Sequence, residues 1–228
     1  MHQGTQAPLI EIGIGELTGR LEHDVCNSHG QHLRVVRQQG RLRARDFEEQ
    51  IYQQGQLAVR PGSLHDLLNM CMWCLWPKSK AALNALHVEK GYLGKGGHRS
   101  AAGNAGTLLD ECGIVIVSPT PGPGELIRSH EWLTLFVEQR SCWHSHWEPW
   151  AIGHGLLEQM LSPFDGIMGK CLVLQPPTAC TLDQALAREI TQLHQPGQLL
   201  SLPALGVPGW HPANRNPSYY ANTSYFRP

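Results

Sequence analysis

SLHDLLNMCMWCLWPKSKAALNALHVEKG, residues 63–91, is the most regular stretch of the chain. Ser63, with Asp66 three positions on, opens a helix. Leu64, Leu67, Leu68, Cys71, Met72 and Leu75 then recur at helical spacing. Pro77 cannot continue the hydrogen-bond ladder but suits the first turn of a new helix. That next helix runs over about 78–90 and ends at Gly91. The stretch predicts two helices joined by a break of one or two residues.

Outward from this pair the text stays mostly helical. Asp46 and Glu49 have capping-box spacing and start a helix stopped at Gly55. Residues 105–112, 125–140, 151–161 and 182–193 also read as helices. Ile114, Val115, Ile116 and Val117 are four β-branched residues between Gly113 and Ser118-Pro119, which predicts a strand. Residues 171–174 read as a second, and 33–36 and the alternating 9–14 as two shorter ones. Six glycines in 91–106 predict a flexible loop. The expected fold is α+β: a mostly helical single domain over 33–228 around a small, few-stranded sheet, after an irregular segment over 1–32.

Composition excludes several classes. A net charge of −1 argues against a broadly basic nucleic-acid binder. Arg34, Arg37, Arg41, Arg43 and Arg45 form a basic run, read either as a solvated segment or as a phosphate-binding strip. No apolar run is long enough for a membrane helix, and the first residues lack a secretory pattern. Seven cysteines without scaffold spacing predict a reduced, cytoplasmic protein. Cys71 and Cys74 form a C-x-x-C, but deep inside a helical pattern, so they read as helix cysteines rather than a redox pair. Gly94-Lys95-Gly96-Gly97 is basic and glycine-rich but does not join a strand to a helix, so a phosphate cradle there is disfavoured. Histidine is in surplus, 13 of 228 residues, and full protonation would carry the charge to +12.

Polar residues at helical spacing supply the candidate chemistry. His65, Asn69 and Trp73 share one face of the first helix, and Lys80, Asn84 and His87 one face of the second. Asp66 adjoins Asn69. His154 and Glu158, four apart, point to one side of a helix, which suits metal ligands or a base oriented by a carboxylate. The flanking Gly153 and Gly155 imply close backbone approach. Asp110 and Glu111 end a helix just before the best strand, where the dipole disfavours them. They therefore require a partner: a lysine, a backbone amide or a metal. His144 and His146 have H-x-H spacing and also read as an aromatic surface loop.

Several stretches carry a resemblance: FEEQIYQQG (47–55), HDLLNMCMWCLWPKSKAALNALH (65–87), TLLDECG (107–113), GHGLLEQMLSP (153–163), GVPGW (206–210) and YFRP (225–228). Together they resemble a bacterial family named domain of unknown function 3025, from about Leu33 to the last residue. The resemblance implies a complete single-domain bacterial protein and imports no reaction. The family's polar positions fall on His65, Asp66, Asn69, Lys80, Asn84, His87, Asp110, Glu111, His154 and Glu158. Trp76 stands where phenylalanine is expected before the proline.

Two readings follow. In the first, the chain is a metal-assisted hydrolase with a divalent cofactor and a small-molecule ligand. His65, Asp66, His154 and Glu158 are then catalytic, Asn69, Trp73, Lys80 and Asn84 bind substrate, and His87, Asp110 and Glu111 hold metal. In the second, the same residues form the polar network of a non-catalytic binding or scaffold protein.

Overall fold

The computed structural model describes residues 3–93 and 98–228. Its elements are α1 (Gln3–Asp24), β1 (Arg34–Arg37), α2 (Ala44–Gln54), β2 (Gln56–Val59), α3 (Leu64–Leu75), α4 (Pro77–Lys90), β3 (Tyr92–Leu93), β4 (His98–Arg99) and α5 (Ala101–Cys112). There follow β5 (Gly113–Val117), α6 (Gly122–Arg128), β6 (Glu148–Ala151), α7 (His154–Met160), β7 (Met168–Leu174), α8 (Leu182–Thr191) and β8 (Leu200–Pro203). The fold is mostly helical α+β. Contacts divide the chain into two compact units, Met1–Thr107 with Cys180–Pro196, and Leu108–Ala179 with Gly197–Pro228. The 94–97 glycine stretch lies outside the described residues.

The first unit is built on the helix pair. Ser63 accepts from the Asp66 amide and caps α3, and Pro77 stands at the start of α4. Gly55 closes α2 in the left-handed conformation at φ 65, which glycine adopts without strain. Leu21, Leu33, Ile51, Leu57, Met70 and Trp73 are sealed in the core. Trp76 is buried as well, so the larger ring is accommodated at the helix break. α8 returns to dock on α4: Asp183 accepts from the Lys78 and Ser79 amides and from Ser79 Oγ. The carboxylate thereby serves amides that the start of α4 cannot satisfy within the helix.

Three expectations fail in this unit. Residues 9–14 lie within α1 rather than in a strand, and Gln3–Asp24 is helical where an irregular segment was expected. The alternation of Ile10, Ile12 and Ile14 misleads because Gly13 between them packs on Leu67, leaving Ile12 exposed. The glycine-rich loop also ends early, since α5 begins at Ala101. Ser100 Oγ accepts from the Gly103 amide. A Cβ on Gly103 would fall 2.2 Å from Gly91 O, and one on Gly106 3.0 Å from Leu86. These glycines serve close packing rather than flexibility.

The second unit is a four-stranded sheet in the order β6-β5-β7-β8. β5 is buried throughout, parallel to β7 and antiparallel to β6. Ile114, Ile116, Leu202 and Phe136 anchor its core. The helix expected over 125–140 is broken. α6 stops at Arg128, His130 takes φ 58, and a π-helical turn follows at Thr134–Glu138. Among the described residues, no helix is long and apolar enough to cross a membrane.

Candidate functional site

In the second unit, Asp110 and Glu111 stand in the last turn of α5 and His154 opens α7. The His154 side chain is only 5% exposed. Its Nε2 lies 3.6 Å from Glu111 Oε1 and its Nδ1 3.9 Å from Asp110 Oδ1. Each ring nitrogen thus faces a carboxylate, at a separation beyond the roughly 2.7–3.2 Å of an N–H···O bond. A neutral imidazole has one N–H. That single N–H can serve only one of the two carboxylates directly. His154 is thus the side chain that faces both helix-end carboxylates, where the sequence reading expects a lysine, a backbone amide or a metal.

Two glycines make the approach. A Cβ on Gly153 would fall 2.4 Å from Gly113 N, 2.5 Å from Glu111 O and 2.7 Å from Cys112 N. One on Gly155 would fall 2.5 Å from Glu111 Oε2. Close backbone approach, inferred from the sequence, is what these positions provide. Ile152 and Gly153 both donate to Gly113 O, at 2.9 and 3.0 Å, and so fasten α7 to the start of β5. Glu158 is half-buried one turn along α7.

The first unit places the other candidates. Asp66 binds Arg60 through both carboxylate oxygens, at 2.5 and 3.0 Å, and accepts from the Arg60 amide at 2.7 Å. Burial pushes the Asp66 carboxyl up, but the Arg60 guanidinium and amide outweigh it and hold the group below its usual range. Lys80 is 5% exposed, with Nζ 5.6 Å from the centre of the Trp73 ring. Asn84 is 2% exposed and donates to Glu48 O and Oε2. His87 is buried, with Gly106 under its ring, and among the described residues it joins no group of three metal-donor side chains. Asn69 and His65 lie half-buried on α3. The α4 stripe is thus a buried polar seam in which Lys80 meets Trp73 of α3.

A family model described as Protein of unknown function (DUF3025) matches residues 33–228. The chain belongs to this family. No curated protein matches it, and no solved structure does.

Some of the DUF3025 stretches have structural duties. In GVPGW and the segment before it, the Leu205 and Val207 carbonyls accept from the buried Asn214. In YFRP, the Tyr225 hydroxyl donates to Ile167 O and accepts from the Leu205 amide, while Arg227 O accepts from Trp132. All seven cysteines are free, and burial pushes the Cys71 and Cys74 thiols up, against a redox pair. His144 is tied to Pro208 O and His146 to Ser145, and neither joins a metal-donor group among the described residues. Arg43 and Arg45 pair with Asp46 and Glu49. Arg34 and Arg37 fall on opposite faces of β1, so the basic run is no continuous strip. Sequence reasoning missed Arg60, Glu48 and Asp183. Arg60 had a signal in the turn before the Ser63 cap; the other two are distant partners without one.

Proposed function

We propose that this protein is a metal-assisted hydrolase with a divalent-metal centre in its second unit. His154 Nε2 and a Glu111 oxygen are the protein donors, and the Asp110 carboxylate, 3.9 Å from Nδ1, stands at the far side of the ring, from which it would close on Nδ1 when the ion is bound. The observation that carries the reading is the 3.6 Å separation of Nε2 and Glu111 Oε1. Two donors each about 2.0–2.2 Å from one ion at a near-tetrahedral angle lie roughly 3.3–3.6 Å apart. A carboxylate on the far ring nitrogen is the usual support of a metal-bound histidine. A divalent ion in such a site lowers the pKa of a bound water to about 7. Glu158, one turn from His154, is assigned the role of general base.

The test is metal analysis of protein purified without a histidine tag. Wild type is expected to hold close to one divalent ion per chain, and His154→Ala and Glu111→Gln to lose it. Asp110→Asn is expected to weaken affinity roughly 10–100-fold. Glu158→Gln keeps the ion and loses hydrolysis of an activated ester or phosphoester. A wild type without metal, whose unfolding midpoint ignores added Zn2+ and Mn2+, refutes the proposal. The near-complete burial of the ring favours the second reading, a structural network. That reading predicts a loss of about 1–3 kcal/mol for His154→Ala in metal-free protein, with no metal response in wild type.

A further inference from the structure

A second feature of the sheet is independent of His154. Pairing of β7 with β8 ends at Cys171 opposite Leu200, whereas pairing with β5 continues to Leu174. The Ser118 amide donates to Leu174 O. Ladder alternation therefore turns the backbone groups of Leu172 and Leu174 toward β5, and those of Cys171 and Val173 toward β8. Leu200 meets Cys171 there. The chain ahead of β8 turns away through Pro196–Gln198, and among the described residues no backbone hydrogen bond reaches Val173 from that side.

A cavity of about 440 Å3 lies at this place, within the roughly 300–1,000 Å3 of small-ligand sites. Val173 and Leu200 line it, with Gly124, Glu125 and Arg128 of α6 and with Gln198. Gly124 keeps α6 close to the sheet without filling the space, since a Cβ there would stand 3.4 Å from Val173 Cγ2. Glu125 and Arg128 are exposed, and among the described residues neither forms an ion pair. One strand-edge donor and one acceptor, flanked by an apolar floor and both signs of charge, match a peptide backbone better than a simple anion.

We infer that this notch takes a short extended peptide segment of a partner protein, added to β7 as a strand beyond the end of β8. Affinity comes from main-chain pairing at Val173, the mode by which sheet edges capture peptides.

The test is amide hydrogen exchange on the full 15N-labelled chain, with the capped tripeptide Ac-Val-Thr-Val-NH2 as probe and its backbone N-methylated analogue as control. In the free protein, the Val173 amide is expected to exchange at least tenfold faster than those of Leu172 and Leu174. Millimolar tripeptide slows it at least tenfold, and the N-methylated analogue does not. Gly124→Val, which narrows the cavity, abolishes the slowing while leaving the fast exchange of the free protein. Three results overturn the inference: a Val173 amide as protected as its neighbours, slowing by neither peptide, or equal slowing by both. Equal slowing would mean that the cavity takes apolar bulk rather than a paired strand.

Discussion

Gly153→Ala tests whether the contact between α7 and the α5–β5 junction governs the second unit. The added Cβ would meet three backbone atoms at 2.4, 2.5 and 2.7 Å, against roughly 3.4 Å or more for a relaxed contact. Backbone cannot rotate aside, so α7 must retreat by about 0.7–1 Å. That movement stretches the two hydrogen bonds to Gly113 O, now 2.9 and 3.0 Å, to near 4 Å, beyond useful length. Overpacking costs about 1–3 kcal/mol, and two weakened bonds add about 0.5–1.5 kcal/mol each. The alanine recovers about 0.4–1 kcal/mol by restricting the unfolded chain, which φ −79 at this position permits. The expected net loss is about 1–5.5 kcal/mol. It is read by urea denaturation followed by tryptophan fluorescence, since Trp132, Trp143 and Trp147 are buried in this unit. A variant within 0.5 kcal/mol of wild type at an unchanged m-value would refute the reasoning.

Four further outcomes are expected. In Gly155→Ala the new Cβ would stand 2.5 Å from Glu111 Oε2, the end of a side chain that can swing, and 3.1 Å from the Glu111 carbonyl oxygen, a tight contact relieved by a shift of a few tenths of an ångström. The change should cost under about 1 kcal/mol yet lower metal retention at least tenfold, as measured by metal analysis. Asp66→Asn should cost about 1–2 kcal/mol in denaturant titrations at pH 7, because Arg60 is half exposed and the charged bonds are discounted accordingly. The folded-state pKa of Asp66 is depressed, so its contribution is present above the unfolded value of about 3.9 and disappears as pH falls through the folded value. The difference between Asp66→Asn and wild type should therefore close in acid. Asp183→Ala, which uncaps α4, should lose about 1–2 kcal/mol by thermal unfolding. The triple replacement Asp110→Leu, Glu111→Met and His154→Leu should abolish metal binding yet destabilise less than His154→Ala alone, because the single change leaves the largely buried Asp110 carboxylate beside a cavity, whereas the apolar set leaves no ionic group there.

The helix pair was legible because each boundary has a local cause: the Ser63 hydroxyl, the ring of Pro77, and the break before Gly91. β5 was legible because four β-branched residues in a row suit a strand buried on both faces. The edge strands β6 and β8 were not. Each contains a proline and few β-branched residues, and only the neighbouring strand makes it extended. The helix over 125–140 failed for a related reason. Apolar spacing continues through the region, but the left-handed backbone at His130 leaves no periodic trace. Glycine was the most ambiguous residue, since Gly103 and Gly106 read as flexibility and serve helix contact.

For the candidate site, the sequence exposed a cost before the structure supplied its offset. Two carboxylates in the last turn of α5, against a buried strand, oppose the helix dipole and repel each other. Spacing could reveal that imbalance because it is local. It could not reveal that His154, more than forty residues later, answers it. That pairing depends on the sheet bringing Ile152 and Gly153 onto Gly113 O and on two positions without a side chain. The burial itself then needs a reason, for an ionic cluster is weak support for a fold that apolar residues could stabilise as well. A histidine held between two acids, reached only because two glycines make room, is an arrangement that packing alone does not require. The proposed cation on His154 and Glu111 would give it a purpose, and metal analysis of the untagged protein decides between that and a structural network.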